Sequence, residues 1–224
     1  MTDAPDVRLL RPPLRGMDGL EAALNRDCFC IDVDPSGVWS AVEQASDGQA
    51  AVASLRAGRE HLFSGSPVFL SAAQIAAMGD IVNAIEATAG LASYQDAVLA
   101  WAPAIARADF GPRGAFMGYD FHLAPDGPKL IEINTNAGGA FLNALLAQAQ
   151  VACCPEVQAI VSPDPLGDFE AAVWDMFQAE WRAQGRAGQP ATVAIVDERP
   201  EDQYLYPEFL LARAFFARAS RNSG

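Results

Sequence analysis

Apolar positions recur along this chain with two periods, and the changes of period outline its elements. After the apolar run Pro67-Val68-Phe69-Leu70, closed by Ser71, the residues Ile75, Met78, Val82 and Ile85 return at steps of three and four. That spacing lines one face of a helix, and Ser71 offers a side-chain oxygen to its first amides. A second amphipathic helix is expected over 168–185, with Phe169, Val173, Met176 and Phe177 on one side. Shorter helices are expected over 18–26, over 141–152, and over 93–106, where Pro103 bends or ends the helix. A helix over 201–220 is interrupted or started near Pro207, and the helical run 37–58 is broken at Asp47-Gly48. Residues 1–16, with Pro5, Pro12, Pro13 and Gly16, read as an extended arm.

Other runs carry strand character. Residues 28–33 form one, closed by Asp34-Pro35, and 191–198 form another that reads as buried. Between them, 115–123 and 128–136 flank Ala124-Pro125-Asp126-Gly127, whose Pro-Asp-Gly chemistry predicts a hairpin. A strand and helix at 191–220 need neighbouring strands to cover both faces of their sheet, and none follows. The expected class is therefore α/β. Residues 1–160 are expected to form an α+β part around the antiparallel hairpin. Residues 161–224 are expected to be the start of a parallel-sheet domain, cut short.

Composition narrows the partners. Of 224 residues, 51% are apolar, enough for a sizeable core. The 28 acids against 15 bases give a net charge of -13, which argues against nucleic acid and anionic membrane as partners. No window reaches the roughly 18 apolar residues of a membrane span. The first sixteen residues hold no apolar signal region, so a cytoplasmic location is expected. Cys28, Cys30, Cys153 and Cys154 lack metal-ligand or CxxC spacing and read as reduced thiols. The two histidines, His61 and His122, show no ligand spacing with them. Lys129 is the only lysine.

The chemistry concentrates in residues 118–139. In a regular strand Glu132, Asn134 and Asn136 share a face. A turn centred on Asp126 sets Asp120 opposite Glu132 and His122 opposite Leu130. Tyr119, Phe121, Lys129, Ile131 and Ile133 then take the other, apolar and buried face. Two carboxylates and an amide oxygen are hard ligands suited to Mg²⁺, and a cation removes the repulsion between the acids. The same spacing also describes the solvated face of an ordinary edge hairpin. Elsewhere, Ser64-Gly65-Ser66 lacks a paired base. His122 reads as a general base or a solvated histidine. Asp197-Glu198 reads as a substrate contact or as helix-capping acids.

Asp120, the run Lys129-Leu130-Ile131-Glu132-Ile133-Asn134 and the following Gly138-Gly139 resemble the metal-binding motif of the ATP-grasp ligases. The closer resemblance is to the circularly permuted branch that includes eukaryotic-type glutathione synthetase and glutathionylspermidine synthetase. Residues 191–209 resemble, more loosely, the first strand and helix of that family's inserted α/β domain. The resemblance implies an ATP- and Mg²⁺-dependent ligase that activates a carboxylate as an acyl phosphate and joins it to an amine. Its substrates would be small or peptide-like carboxylates and amines. It puts metal roles on Asp120, Glu132 and Asn134, and substrate contact on the loop carrying Asn136, Gly138 and Gly139. The family's arginine before the aspartate is Gly118 here, with Arg113 as the candidate replacement. The phosphate-binding lysines and Gly-rich loop of the family are not seen, so this chain alone is expected neither to turn over nor tightly to bind ATP. The alternative implied by the same resemblance is an ATP-grasp-derived binding or scaffold protein without catalysis.

Overall fold

The computed structural model describes residues 20–27, 31–32, 35–46, 54–65, 67–152 and 165–222. The expected arm over 1–16, the break at Asp47-Gly48, all four cysteines and the expected boundary near 161 lie outside them. In chain order the elements are α1 (Leu20–Asp27), β1 (Ile31–Asp32), α2 (Pro35–Ala45), α3 (Ala72–Ala89) and α4 (Ala92–Leu99). Then come β2 (Gly118–Ala124), β3 (Gly127–Asn134), α5 (Ala140–Ala149), β4 (Val151–Ala152), α6 (Pro165–Ala183) and α7 (Tyr206–Asn222). The fold is mixed α and β. Its described strands form two antiparallel pairs, β1 with β4 and β2 with β3.

Local chemistry explains most boundaries. The Ser71 hydroxyl accepts the Gln74 N–H at 3.2 Å, and the Gln74 side chain accepts the Ser71 N–H at 2.9 Å. This reciprocal cap satisfies two of the amide groups that α3 leaves free. The helix expected over 93–106 ends earlier, at Leu99 with Ala100 as its cap, and Pro103 instead opens a separate 3₁₀ turn, Ala104–Arg107. A second 3₁₀ turn, Pro200–Asp202, precedes α7.

The core lies where α2, α5, α6 and α7 meet. Trp39 and Val42 of α2, Phe141 and Leu145 of α5, Val173 of α6, and Leu211 and Phe215 of α7 are all buried there. It draws side chains from both sides of residue 160. Phe141 is its hub: its ring stands edge-on to Phe169 at 5.0 Å and lies 5.5 Å from Phe215. Such ring pairs add about 0.5–1.5 kcal/mol each beyond the area they bury. At the rim, Arg218 bonds Glu170 at 2.7 Å and the Ala45 carbonyl at 3.3 Å. The Arg59 guanidinium donates to the carbonyls of Leu55, Gln203 and Tyr204, tying the 54–65 segment to the approach to α7.

Two expectations change. Residues 191–198 form no strand. Thr192–Val196 run on without a backbone hydrogen bond among the described residues, and Val196 is 88% exposed. β-branched residues favour extended backbone, but a strand also needs a neighbour for its N–H and C=O groups. The apolar face of α3 is likewise only half covered. Ile75 is 53% exposed, and the helix packs mainly against β3 and α4.

Candidate functional site

The hairpin places the site. Pro125-Asp126 forms a two-residue turn between the paired Ala124 and Gly127. Gly127 sits at φ 115°, where a side chain would be strained. Lys129 Nζ bonds Asp126 Oδ2 across this turn at 2.8 Å, which holds the Asp126 carboxyl below its ordinary value.

From the open end the ladder pairs Gly118 with Asn134, Tyr119 with Ile133 and Asp120 with Glu132. The expected opposition of the two acids is therefore present. The register then shifts: Phe121 pairs with Leu130 and His122 with Lys129, leaving Ile131 as an extra residue on β3. A one-residue bulge exchanges the faces beyond it. Two sequence assignments are corrected by this. His122 faces Lys129 rather than Leu130, and Lys129 lies on the side of Asp120 rather than with the isoleucines. Burial follows the corrected pattern: Phe121 and Leu130 are half-buried, while His122 and Lys129 are exposed.

The polar face thus carries Asp120, Glu132 and Asn134, with His122 and Lys129 further along. Asp120 and Glu132 are exposed, and neither forms an ion pair among the described residues. Asn134 Nδ2 donates to Asp120 Oδ2 at 3.5 Å, so the amide already leans on the carboxylate. Turning that amide over presents its oxygen instead. Two unneutralised carboxylates and an amide oxygen on one face fit a hard, oxygen-seeking cation. Among the described residues no group of three His, Cys, Asp or Glu side chains gathers as a metal centre. The candidate therefore rests on two acids and one amide.

The opposite face is less covered than its composition predicts. Tyr119 reaches α3, where its hydroxyl donates to Glu86 Oε1 at 2.5 Å; that bond raises the phenol above its ordinary value. Ile131 remains 67% exposed and Ile133 38%.

Beyond Asn134 the chain folds back, with the Ala137 N–H on the Phe116 carbonyl at 3.2 Å. This brings Ala137 over Gly118: a Cβ built at 118 would lie 2.9 Å from Ala137 Cβ and 3.5 Å from Asn134 Cβ. Arg113 is held elsewhere, its N–H bonded to Glu180 Oε2 at 2.7 Å. Its guanidinium makes no hydrogen bond or ion pair among the described residues.

Asn136, Gly138 and Gly139 lie together in the loop that opens α5. Gly139 caps the helix at φ 92°. A Cβ at Gly138 would meet Leu205 Cδ1 at 2.8 Å, so the loop touches the approach to α7. The free amides of α5 would attract an anion, and one is already supplied by the protein. Glu208 of α7, 7% exposed, accepts the Phe141 N–H at Oε1 and the Leu142 N–H at Oε2, each at 2.9 Å. Burial pushes its carboxyl up, and these backbone N–H groups oppose that push in part. Sequence reasoning missed Glu208. In the sequence it is an ordinary acid in the first turn of a helix, and its partners lie more than sixty positions away.

Asp197-Glu198 precedes the 3₁₀ turn that Arg199 caps. Asp197 Oδ1 accepts the Glu198 N–H at 2.7 Å, and both acids are exposed. Compared with protein-family models, curated proteins and solved structures, the chain matches none.

Proposed function

We propose that this chain is the metal-bearing portion of an ATP- and Mg²⁺-dependent carboxylate–amine ligase of the ATP-grasp type. One observation carries the reading: Asp120 and Glu132 stand directly opposite on the hairpin with Asn134 bonded to Asp120, and neither acid has a cationic partner among the described residues. Asp120, Glu132 and Asn134 would hold Mg²⁺, which supplies charge neutralisation for phosphate oxygens and a developing acyl phosphate. The chain's own contribution is orientation. The ladder fixes the spacing of the two acids, and the loop bearing Asn136, Gly138 and Gly139 starts two residues beyond Asn134. The only lysine is engaged by Asp126, in keeping with a nucleotide phosphate site made by residues outside this chain. Its small or peptide-like substrates approach a surface of net charge -13.

Mn²⁺ titration tests the metal role in the chain itself. Amide resonances of residues 119–121 and 131–134 should broaden first, and Glu132→Gln should abolish that selectivity. Broadening spread evenly over the acidic surface rejects the site. With the complete nucleotide site present, Glu132→Gln should lower ligase turnover at least about a hundredfold, the roughly 3 kcal/mol of a lost charge contact.

Gly118 favours a second reading, a binding or scaffold protein derived from the same architecture. The space beside it is closed by Ala137, so no longer side chain occupies position 118, two residues before Asp120, without a shift. That reading keeps the Mn²⁺ response and lacks ATP-dependent amide formation.

A further inference from the structure

A trough of about 500 Å³ runs between α7 and the extended residues 191–195, and no hairpin residue lines it. Its floor is apolar, with Val193 and Ile195 on one wall and Phe209 and Phe216 on the other. This volume lies in the range of small-molecule sites, which combine apolar walls with a few polar groups. Besides Ser220, whose hydroxyl donates to the Phe216 carbonyl, the polar side chains lining it are those of Arg213, Thr192 and Tyr206. None of the three makes a hydrogen bond or ion pair among the described residues. Like the Arg113 guanidinium, the Arg213 guanidinium has no carboxylate among the described residues, but it is the arginine that lines the apolar trough. Arg59 and Arg218, by contrast, are fully engaged with carbonyls or an acid.

We propose that this trough binds a small amphiphilic carboxylate, with an acyl or arylalkyl body along the floor and the carboxylate head on Arg213. The charge complement is specific: a guanidinium takes a carboxylate through two parallel N–H···O bonds, and the apolar tail buries the exposed Ile195 side chain. Thr192 and Tyr206 also line the trough, and a hydroxyl of this kind can donate to a carboxylate oxygen.

Decanoate, used far below its micelle concentration, is the probe, with decanol as the uncharged match. Titrations followed by amide chemical shifts should show saturable binding of decanoate, with the shifts concentrated at 192–196 and 213–220. Decanol should bind about tenfold more weakly, and Arg213→Gln should weaken decanoate by a similar factor, while Arg213→Lys retains part of the affinity. Ala217→Trp, at an exposed position lining the trough, should block both ligands without changing the circular dichroism spectrum. Equal binding of decanoate and decanol overturns the proposal, as does an unchanged affinity in Arg213→Gln. So do shifts scattered over the exposed apolar surface, which mean general adsorption rather than a site.

Discussion

Gly118 shows how one missing side chain shapes the candidate site. The loop after β3 returns close enough that a methyl group at 118 would sit 2.9 Å from Ala137 Cβ. Gly118→Ala should therefore cost about 1–3 kcal/mol, the usual range for overpacking. Ala137→Gly in the same chain should restore part of the loss, because the two positions share the clash and are not independent. Urea denaturation of the two single variants and the double variant measures this. Additive losses would show that the glycine is needed for some other reason. The residue types of this centre were legible: alternation along β3 puts Glu132 and Asn134 on one side, and Asp120 meets Glu132 as expected. The closed space at Gly118 was not, because it comes from a turn of backbone that no residue spacing encodes.

Among the elements, those with local causes were readable and those with distant causes were not. Ser71 and Gln74 lie three residues apart, so the start of α3 can be read from a short window. The bulge at Ile131 could not be read in this way. Strict alternation assumes an uninterrupted ladder, and one extra residue moves Lys129 and Leu130 to the opposite faces. The run Ala191-Thr192-Val193-Ala194-Ile195-Val196 has strand composition but no neighbour among the described residues. Its amides should exchange with solvent nearly as fast as in a free peptide, while those of Leu210, Leu211, Ala212, Ala214, Phe215 and Phe216, buried in the middle of α7, should be strongly protected. Hydrogen exchange read residue by residue checks this, and protection at 192–196 would show that the segment has a hydrogen-bonded partner beyond the described residues.

At the scale of the molecule, no single described helix is long and apolar enough to cross a membrane. The helices that close the core are joined by one buried acid. Glu208 carries the amides of α5 on the first turn of α7, and so links the loop bearing Gly138 and Gly139 to the core. Removing it with Glu208→Ala leaves two buried N–H groups unpaired and should cost about 2–4 kcal/mol at pH 7. Its titration acts in the other direction. Burial raises the folded carboxyl above its ordinary value, more than the N–H bonds lower it, so the folded state holds this proton more tightly than the unfolded state. The stability it contributes is therefore complete below the unfolded value, near about 4.3, and is lost as pH rises through the higher folded value. Other acids titrate in the same range, so the effect is isolated by difference. Glu208→Gln keeps the shape and does not titrate. The stability of wild type relative to Glu208→Gln should rise as pH falls from neutral toward about 4.3. Denaturant unfolding at a series of pH values gives that difference directly. A flat difference would mean that the carboxyl titrates alike folded and unfolded. A difference that falls on acidification would mean that the Phe141 and Leu142 amides outweigh burial, making the ionised carboxylate the form that α5 prefers.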